Sequence, residues 1–190
     1  ADASQIKKVL AIVRGDAGRR AIVVSAPGKR NAEDKKITDL LYEWQKSASL
    51  GRNTADAQAV VSERFITIAK ELGLSLDIKG ELEKIAQDIA GGASADYSAS
   101  RGEYLCGKIV AEALGYEFVD PAECVFFNEN GQHKKDDEKI RAIVGKRNVV
   151  IAGFYGAMQG GSIKTFSRGG SDITGATVAR ALKADLYENW

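Results

Sequence analysis

The stretch that decides the fold is Ala21–Val24 followed by Ser25–Gly28, which together read AIVVSAPG. Four consecutive apolar residues, mostly β-branched, predict a strand that is buried on both faces, as in a parallel sheet. A second run of this kind, Val149–Ala152, predicts another such strand far along the chain. Ligands of open parallel sheets bind at the carboxyl ends of the strands. We therefore expect a functional site in the turns that follow Val24, Ala152 and Phe166.

Apolar residues at helical spacing fill the sequence between these two strands. The pattern predicts four helices over Ile6–Val13, Ile37–Trp44, Ala55–Leu72 and Leu82–Ile89, with Ser4 as the N-cap of the first and Gly73 ending the third. A fifth helix is expected to begin near Ser98 or Ser100 and to stop at Gly115. Most of the first half of the chain is thus predicted to be helical.

The second half of the chain shows shorter elements. The pattern predicts strands at Tyr116–Val119, Cys124–Phe127 and Ser162–Phe166, a polar surface loop over Asn128–Lys135, a helix over Asp172–Leu182 and a strand-like end at Asp185–Tyr187. Strands that alternate with helices favour the α/β class, here a three-layer α/β/α sandwich with a largely parallel central sheet. With 190 residues, a single domain over 1–190 is expected.

Composition excludes several classes of function. The net charge of +1 carries no basic surplus for nucleic acid or an anionic membrane, and no apolar run is long enough to span a bilayer. Cys106, Cys124 and His133 are too few and too scattered for a zinc site, so no bound metal is predicted. Two unpaired thiols are typical of a reduced, cytoplasmic protein.

The segment Ser167–Asp172, SRGGSD, carries the most chemical information in the chain. Its two glycines allow a sharp turn and close approach of a ligand, and the start of the following helix favours an anion. Arg168 adds a planar fork that suits a carboxylate or a phosphate. A plain turn, in which Ser171 or Asp172 merely caps the helix, explains the spacing about equally well.

Three other segments are weaker indications when each is taken alone. Ser100–Glu103 is expected to open the fifth helix, where an acid commonly just complements the helix dipole. Thr38-Asp39 is consistent with a helix cap, and Ser25–Gly28 with an ordinary connection between a strand and a helix.

Taken together, these segments resemble the aspartate kinases of the amino-acid kinase family. The resemblance rests on VVSA at Val23–Ala26, TDLL at Thr38–Leu41, SRGE at Ser100–Glu103, GFYG at Gly153–Gly156, KTFSRGGSD at Lys164–Asp172 and ADLYENW at Ala184–Trp190. These segments occur in the family's order from near the first residue to the last. The combination is specific, although each segment alone is not.

The resemblance implies a site for L-aspartate. Arg168 is expected to bind the α-carboxylate, with Glu103 and Asp172 on the ammonium group, and Arg168 and Asp172 are the residues expected to serve catalysis. The remaining residues that the resemblance assigns to the substrate are the hydroxyls of Thr38 and Ser171, Phe154 in the pocket wall, and Ser25 in an adjoining loop.

The implied reaction transfers the γ-phosphoryl group of ATP to the side-chain carboxylate, with Mg²⁺ bridging the phosphates. A carboxylate with a pKa of about 3.9 is already ionised at neutral pH, so no general base is required. Catalysis then consists of positioning two anions and neutralising their charge. The product is 4-phospho-L-aspartate, which in the family leads toward lysine, threonine and methionine.

The chain departs from the family pattern at both ends. The phosphate-binding Lys-Phe-Gly-Gly loop that opens these kinases, the Thr-Asp-Val-Asp-Gly nucleotide segment and the regulatory ACT domains have no counterpart in the 190 residues. We therefore expect a kinase domain that lacks its first strand, is incomplete at both termini, and is inactive alone. The complete enzyme is expected to be a homo-oligomer.

Two alternatives remain open. A related kinase of the same superfamily could act on glutamate, acetylglutamate, carbamate or a nucleotide, because one fold hosts several substrates. A non-catalytic protein that binds a small molecule on this fold is the other alternative, since the family's catalytic lysine does not occur here.

Overall fold

The structure is a computed structural model that describes residues 1–190. Its α-helices are α1 (Ala3–Arg14), α2 (Ile37–Ser49), α3 (Ala55–Leu72), α4 (Ile78–Ala90), α5 (Ala95–Leu114), α6 (Asp137–Val144) and α7 (Gly170–Leu182). Its strands are β1 (Ala21–Val24), β2 (Glu117–Val119), β3 (Phe126–Phe127), β4 (His133–Lys134), β5 (Val149–Ala152), β6 (Tyr155–Met158) and β7 (Ile163–Thr165). A single 3₁₀ turn occupies Pro121–Glu123.

The central sheet is parallel and has three strands in the order β1-β5-β2. Val24 pairs with Ala152 at the end of β1, and Val119 pairs with Ile151 at the end of β2. A second sheet, in the order β4-β3-β6-β7, is mixed, with β3 parallel to β6 and the other pairs antiparallel. The carboxyl ends of β1, β5 and β2 therefore share one edge.

Side chains of β5 alternate between two hydrophobic cores, which makes the protein three-layered. Val150 packs into a large core with α1 to α5, whereas Val149 and Ile151 pack into a smaller core with α6 and α7. Because successive residues of a strand point to opposite faces, helices must cover both sides of this sheet. The predicted three-layer α/β/α sandwich with a parallel central sheet is confirmed.

Several boundaries follow the sequence pattern closely. β1, β5 and α3 have the predicted bounds. Gly73 and Gly115 end α3 and α5 in the left-handed conformation, with φ of 69° and 73°, which glycine adopts without steric cost.

Other local predictions are wrong. The N-cap of α1 is Asp2 rather than Ser4, and Asp185–Tyr187 is not a strand. The segment Asn128–Lys135 is not a loop alone, because it contains strand β4, which pairs with β3 in a hairpin. Strand β3 is limited to Phe126–Phe127, because a 3₁₀ turn precedes it. Short elements of this kind depend on distant pairing partners rather than on local pattern.

The start of α5 is also earlier than predicted. Ser94 is its N-cap, and the Ser94 side chain accepts a hydrogen bond from the Tyr97 amide at 3.1 Å. Ser100–Glu103 consequently lies beyond the first turn of the helix, and its residues are buried. Glu103 therefore does not complement the helix dipole, and its burial needs another explanation.

None of the helices combines the length and the apolar character that crossing a membrane requires.

Candidate functional site

Strands β1 and β5 end side by side, and the turn after β5 is strained. The Gly153 amide donates a hydrogen bond to the Val24 carbonyl at 2.8 Å, which continues the ladder by one residue. Phe154 follows with a φ of 78°, in the left-handed region that a bulky residue rarely occupies. Strain of this sort clusters at functional sites, where the surrounding structure enforces it. The turn predicted to form a site therefore has an unusual backbone.

The start of α7 packs directly on this turn. A methyl group added at Gly153 would lie 2.7 Å from the Cβ of Ser171, and one added at Gly170 would lie 2.8 Å from the Cα of Phe154. Both distances are too short for any side chain, so the two glycines allow the helix and the turn to approach. The predicted residues Phe154 and Ser171 are thereby neighbours.

The loop after β1 packs on α5. A methyl group at Gly102 would lie 2.9 Å from the Ala26 methyl and 3.2 Å from Ile37. The second residue of α2, Thr38, is half-buried beside this contact, and Ser25 is exposed next to Ala26. The N-cap of α2 is Lys36, so Thr38 is not the cap that the sequence allowed.

Glu103 is a buried carboxyl group that lacks a cationic partner. The residue is 5% exposed, and its Oε2 is buried without a hydrogen-bond partner. Burial raises the pKa of Glu103 to about 7, while the Ala26 amide, the amide of Glu103 itself and the charge of Arg101 oppose this rise. No hydrogen bond of standard geometry joins the Ala26 amide to the carboxyl group. An unpartnered carboxylate at the edge of the sheet is suited to receive a cationic group.

Arg101, two residues earlier, is buried among aromatic rings. Its guanidinium carbon lies 4.4 Å from the ring centres of Tyr97 and Tyr104 and 5.3 Å from that of Tyr155. It also donates to Ser100 Oγ, at 3.1 Å from Nε and 2.8 Å from Nη2. The rings stabilise this cation without a carboxylate partner. Arg101 and Tyr155 lie in the SRGE and GFYG segments, but the sequence pattern gave neither a role, because the rings come from positions spread over two elements.

Arg168 and Asp172 lie in the opposite environment. Both are exposed, and Arg168 takes part in no ion pair with the rest of the chain. Asp172 accepts a hydrogen bond from Asn189 Nδ2 at 3.1 Å, a contact with no signal in the sequence. The N-cap of α7 is Gly169, with a φ of 57° and no side-chain cap, so neither Ser171 nor Asp172 caps the helix. The uncapped first amides of α7 and the Arg168 guanidinium are available to an anion.

Most of the predicted residues are thus linked through contacts along one edge of the sheet. Phe154 and Ser171 lie beside the two glycines that pack at the end of β5. Glu103, Ser25 and Thr38 are the chain neighbours of Gly102, Ala26 and Ile37, which pack together near the end of β1. The backbone hydrogen bond from the Gly153 amide to the Val24 carbonyl joins the two groups. Arg168 and Asp172 occupy the first turn of α7 and its approach, next to Ser171.

The chain offers no ready site for a metal ion. No group of three or more histidine, cysteine, aspartate or glutamate side chains is placed to bind one. The anion-binding features at the start of α7, its first amides and Arg168, are compatible with carboxylate or phosphate groups.

The chain belongs to the amino acid kinase family, whose profile matches residues 1–190. It is similar to aspartate kinases in particular. It is 36% identical over 210 aligned residues to Aspartokinase 3 of Bacillus subtilis, covering 100% of this chain and 46% of that protein. It is 55% identical over 135 residues to the aspartate kinase of Pseudomonas fluorescens, covering 65% of this chain and 30% of that protein. The chain thus spans about half or less of the length of these relatives.

Solved structures give the same result. The fold superposes on Clostridium acetobutylicum aspartate kinase with a TM-score of 0.97 and 48% identity, covering 100% of this chain and 45% of that one. It superposes on E. coli aspartokinase III, solved in complex with aspartate and ADP, with a TM-score of 0.77 and 26% identity, covering 97% and 45%. The expected relationship to aspartate kinases is confirmed.

Proposed function

We propose that the chain is the substrate-binding portion of an aspartate kinase, which transfers the γ-phosphoryl group of ATP to the side-chain carboxylate of L-aspartate. The single observation that carries the proposal is the buried Glu103 carboxyl group, whose Oε2 has no partner at the edge of the sheet. A substrate ammonium group satisfies it. The similarity to aspartate kinases supports this choice of substrate over the other superfamily substrates.

Binding of the ammonium group and the charge of Glu103 are coupled. With a pKa raised to about 7 by burial, Glu103 is partly protonated at neutral pH before substrate binds. The ammonium group of aspartate favours the ionised carboxylate and lowers this pKa on binding. Substrate affinity should therefore improve as the pH rises through about 7, up to the point at which the substrate ammonium loses its own proton.

In this proposal the other predicted residues bind the remaining groups of the substrate. Arg168 and the uncapped amides of α7 bind the α-carboxylate, and Asp172 shares the ammonium group with Glu103. Thr38 and Ser171 donate hydroxyl hydrogen bonds to the substrate, Phe154 forms part of the wall, and Ser25 lies in the adjoining loop. Arg168 is exposed and unpaired, which supports its availability to a ligand.

The reaction requires no proton abstraction by the protein. The attacking carboxylate oxygen forms a bond to the γ-phosphorus as the bond to the β-phosphate oxygen breaks, giving ADP and 4-phospho-L-aspartate. The positive groups near α7 reduce repulsion between the two anions. We propose that this portion alone shows no turnover, since it covers 46% of Aspartokinase 3 of Bacillus subtilis and no cluster of acidic side chains within it is placed to hold a metal ion. Assembly as a homo-oligomer is part of the same proposal.

The test compares substrates that differ in the ammonium group, using the protein in its full natural length. ADP release is measured with L-aspartate, with L-glutamate and with succinate, which is aspartate without its ammonium group. We expect kcat/KM for aspartate to exceed that for succinate by about 100-fold or more, since an unpaired buried charge costs several kcal/mol. In Glu103→Gln, kcat/KM for aspartate should fall about 100-fold and the preference over succinate should shrink.

Glu83→Gln is the matched control, because Glu83 is exposed on α4 and the substitution makes the same chemical change. It should leave both substrates unaffected. Equal use of aspartate and succinate by the unmodified enzyme would remove Glu103 from substrate recognition. A preference for glutamate or another acceptor would replace aspartate with a different superfamily substrate.

A further inference from the structure

The β1–α2 loop is the segment 25–36, between the end of β1 and the start of α2. Arg64 is a buried arginine that contacts this loop from α3. It belongs to α3, is 1% exposed, and is among the largest fully buried side chains of the protein. Its Nε is buried without a hydrogen-bond partner. Burial of a charged side chain to this extent is costly unless its partners are firmly placed.

Both partners of Arg64 lie in the β1–α2 loop. Its Nη2 forms an ion pair with Asp34, and its Nη1 donates to the Gly28 carbonyl at 3.3 Å. Asp34 also accepts from Arg30, at 2.9 Å from the backbone amide and 3.2 Å from Nε. The Arg30 amide, followed by the two guanidinium groups, keeps the pKa of Asp34 well below its ordinary range. Asp34 therefore remains ionised across the physiological pH range.

The same loop forms part of the enclosure of Glu103. Its second residue, Ala26, packs on Gly102, and the Ala26 amide lies beside the Glu103 carboxyl group. Ala26 thus packs against α5, and the buried Arg64 guanidinium attaches Gly28 and Asp34 to α3. Two exposed contacts also hold the loop, an ion pair of Arg30 with Glu63 of α3 at 3.3 Å and hydrogen bonds from the Ala1 ammonium to the Gly28 and Lys29 carbonyls. No secondary-structure element other than isolated turns stiffens the loop itself.

We propose that Arg64 is a positioning residue of the candidate site, which acts through Asp34 and Gly28 to keep the β1–α2 loop closed over Glu103. Arg64 does not contact the substrate in this role. Its two-pronged contact requires the planar fork of arginine, because an ammonium group cannot bind both acceptors in the same geometry. The effect on aspartate binding rests on the proposed function, whereas the effect on Glu103 does not.

The experiment uses Arg64→Lys and Asp34→Asn, two variants with little change in volume, in the protein's full natural length. The Glu103 carboxyl group is titrated by NMR of ¹³C-labelled glutamate, with Glu103→Gln assigning its signal. We expect the pKa of Glu103 to fall by about one pH unit or more in both variants, because water reaches a group that burial had kept largely protonated. KM for aspartate should rise about fivefold or more while kcat stays within about twofold.

Lys35→Ala is the matched control, since Lys35 lies in the same loop in an exposed ion pair with Glu43, with side chains 62% and 52% exposed. It should change neither quantity. If the pKa of Glu103 is the same in both variants as in the unmodified protein, even with a lowered melting temperature, the contacts are only structural and the proposal fails. A fall in that pKa in an enzyme that does not use aspartate would support the role of Arg64 and reject the proposed function.

Discussion

The tripeptide Ser-Arg-Gly occurs twice, at Ser100–Gly102 and at Ser167–Gly169, and the two copies have opposite environments. The first lies inside α5, fully buried, with Arg101 stacked among three tyrosine rings. The second leads into α7, exposed, with Arg168 unpaired and Gly169 in the left-handed conformation. The same three residues are thus packed in the protein interior at one place and exposed to solvent at the other. Position in the fold, rather than the local motif, decides what each copy does.

The two copies also differ in the solvation of their charged side chains. Next to the first copy, Glu103 is buried and its pKa is raised, so the protein bears the cost of removing a carboxyl group from water before any ligand arrives. Next to the second copy, Arg168 and Asp172 remain solvated. We expect changes at the buried copy to affect stability as well as binding, and changes at the exposed copy to affect binding alone.

The largest effect is expected in the pH dependence of stability at the buried copy. The pKa of Glu103 rises from an ordinary value of 4.5 to about 7 on folding. A folded state with the higher pKa binds the proton more tightly, so its stabilisation is complete below pH 4.5 and is lost as the pH rises through about 7. That pKa difference corresponds to at most about 3 kcal/mol.

Urea unfolding of the unmodified protein and of Glu103→Gln, at pH values from 5 to about 9, isolates this contribution. The difference in unfolding free energy between the two proteins should shift in favour of the glutamine variant as the pH rises from 5 to about 7, and should level off at higher pH. A constant difference across the range would mean that Glu103 titrates normally, and the contrast between the two copies would lose its electrostatic basis.

A smaller effect is expected from exchanging arginine for lysine at the two copies. Arg101→Lys removes the planar stacking and the forked bonds to Ser100, and should lower the unfolding free energy by about 2 kcal/mol. Arg168→Lys is its matched control, and an exposed change of this kind should stay within about 0.5 kcal/mol. Thermal or urea unfolding measures both. Equal losses at the two positions would contradict the assigned difference in environment.

A feature of the fold could be predicted from the sequence when neighbouring residues determine it, and could not when residues far apart in the sequence determine it. The strands β1 and β5 follow from four consecutive apolar residues each, and the end of α3 from one glycine. The start of α5 was missed because Ser94, Ser98 and Ser100 are equally good caps by residue type, and tertiary packing selects among them.

The candidate site shows the same division. The resemblance to aspartate kinases identified the segments that contribute to the site, because each segment alone is equally consistent with a turn or a helix cap. The local pattern indicated only that a ligand binds in the turns after the parallel strands. The burial of Glu103 was not predicted, because it depends on Ala26, far away in the sequence. The contact of Arg64 with Asp34 was missed for the same reason, since it joins residues 30 positions apart on different elements.

The smallest effect is expected on catalysis when the exposed copy loses its charge. Arg168→Ala should lower kcat/KM for aspartate by about tenfold to 30-fold, less than a change at Glu103, because a solvated arginine has less to lose than a desolvated charge. The loss should appear mainly in KM if Arg168 holds the α-carboxylate equally in the ground and transition states, and in kcat if it acts on the transferring phosphoryl group. Steady-state ADP release measures both constants.

Arg180→Ala is the matched control, since Arg180 lies on the same helix, exposed, in an ion pair with Asp137. Unchanged kinetics in Arg168→Ala would remove Arg168 from the proposed site and leave the substrate carboxylate to the amides of α7.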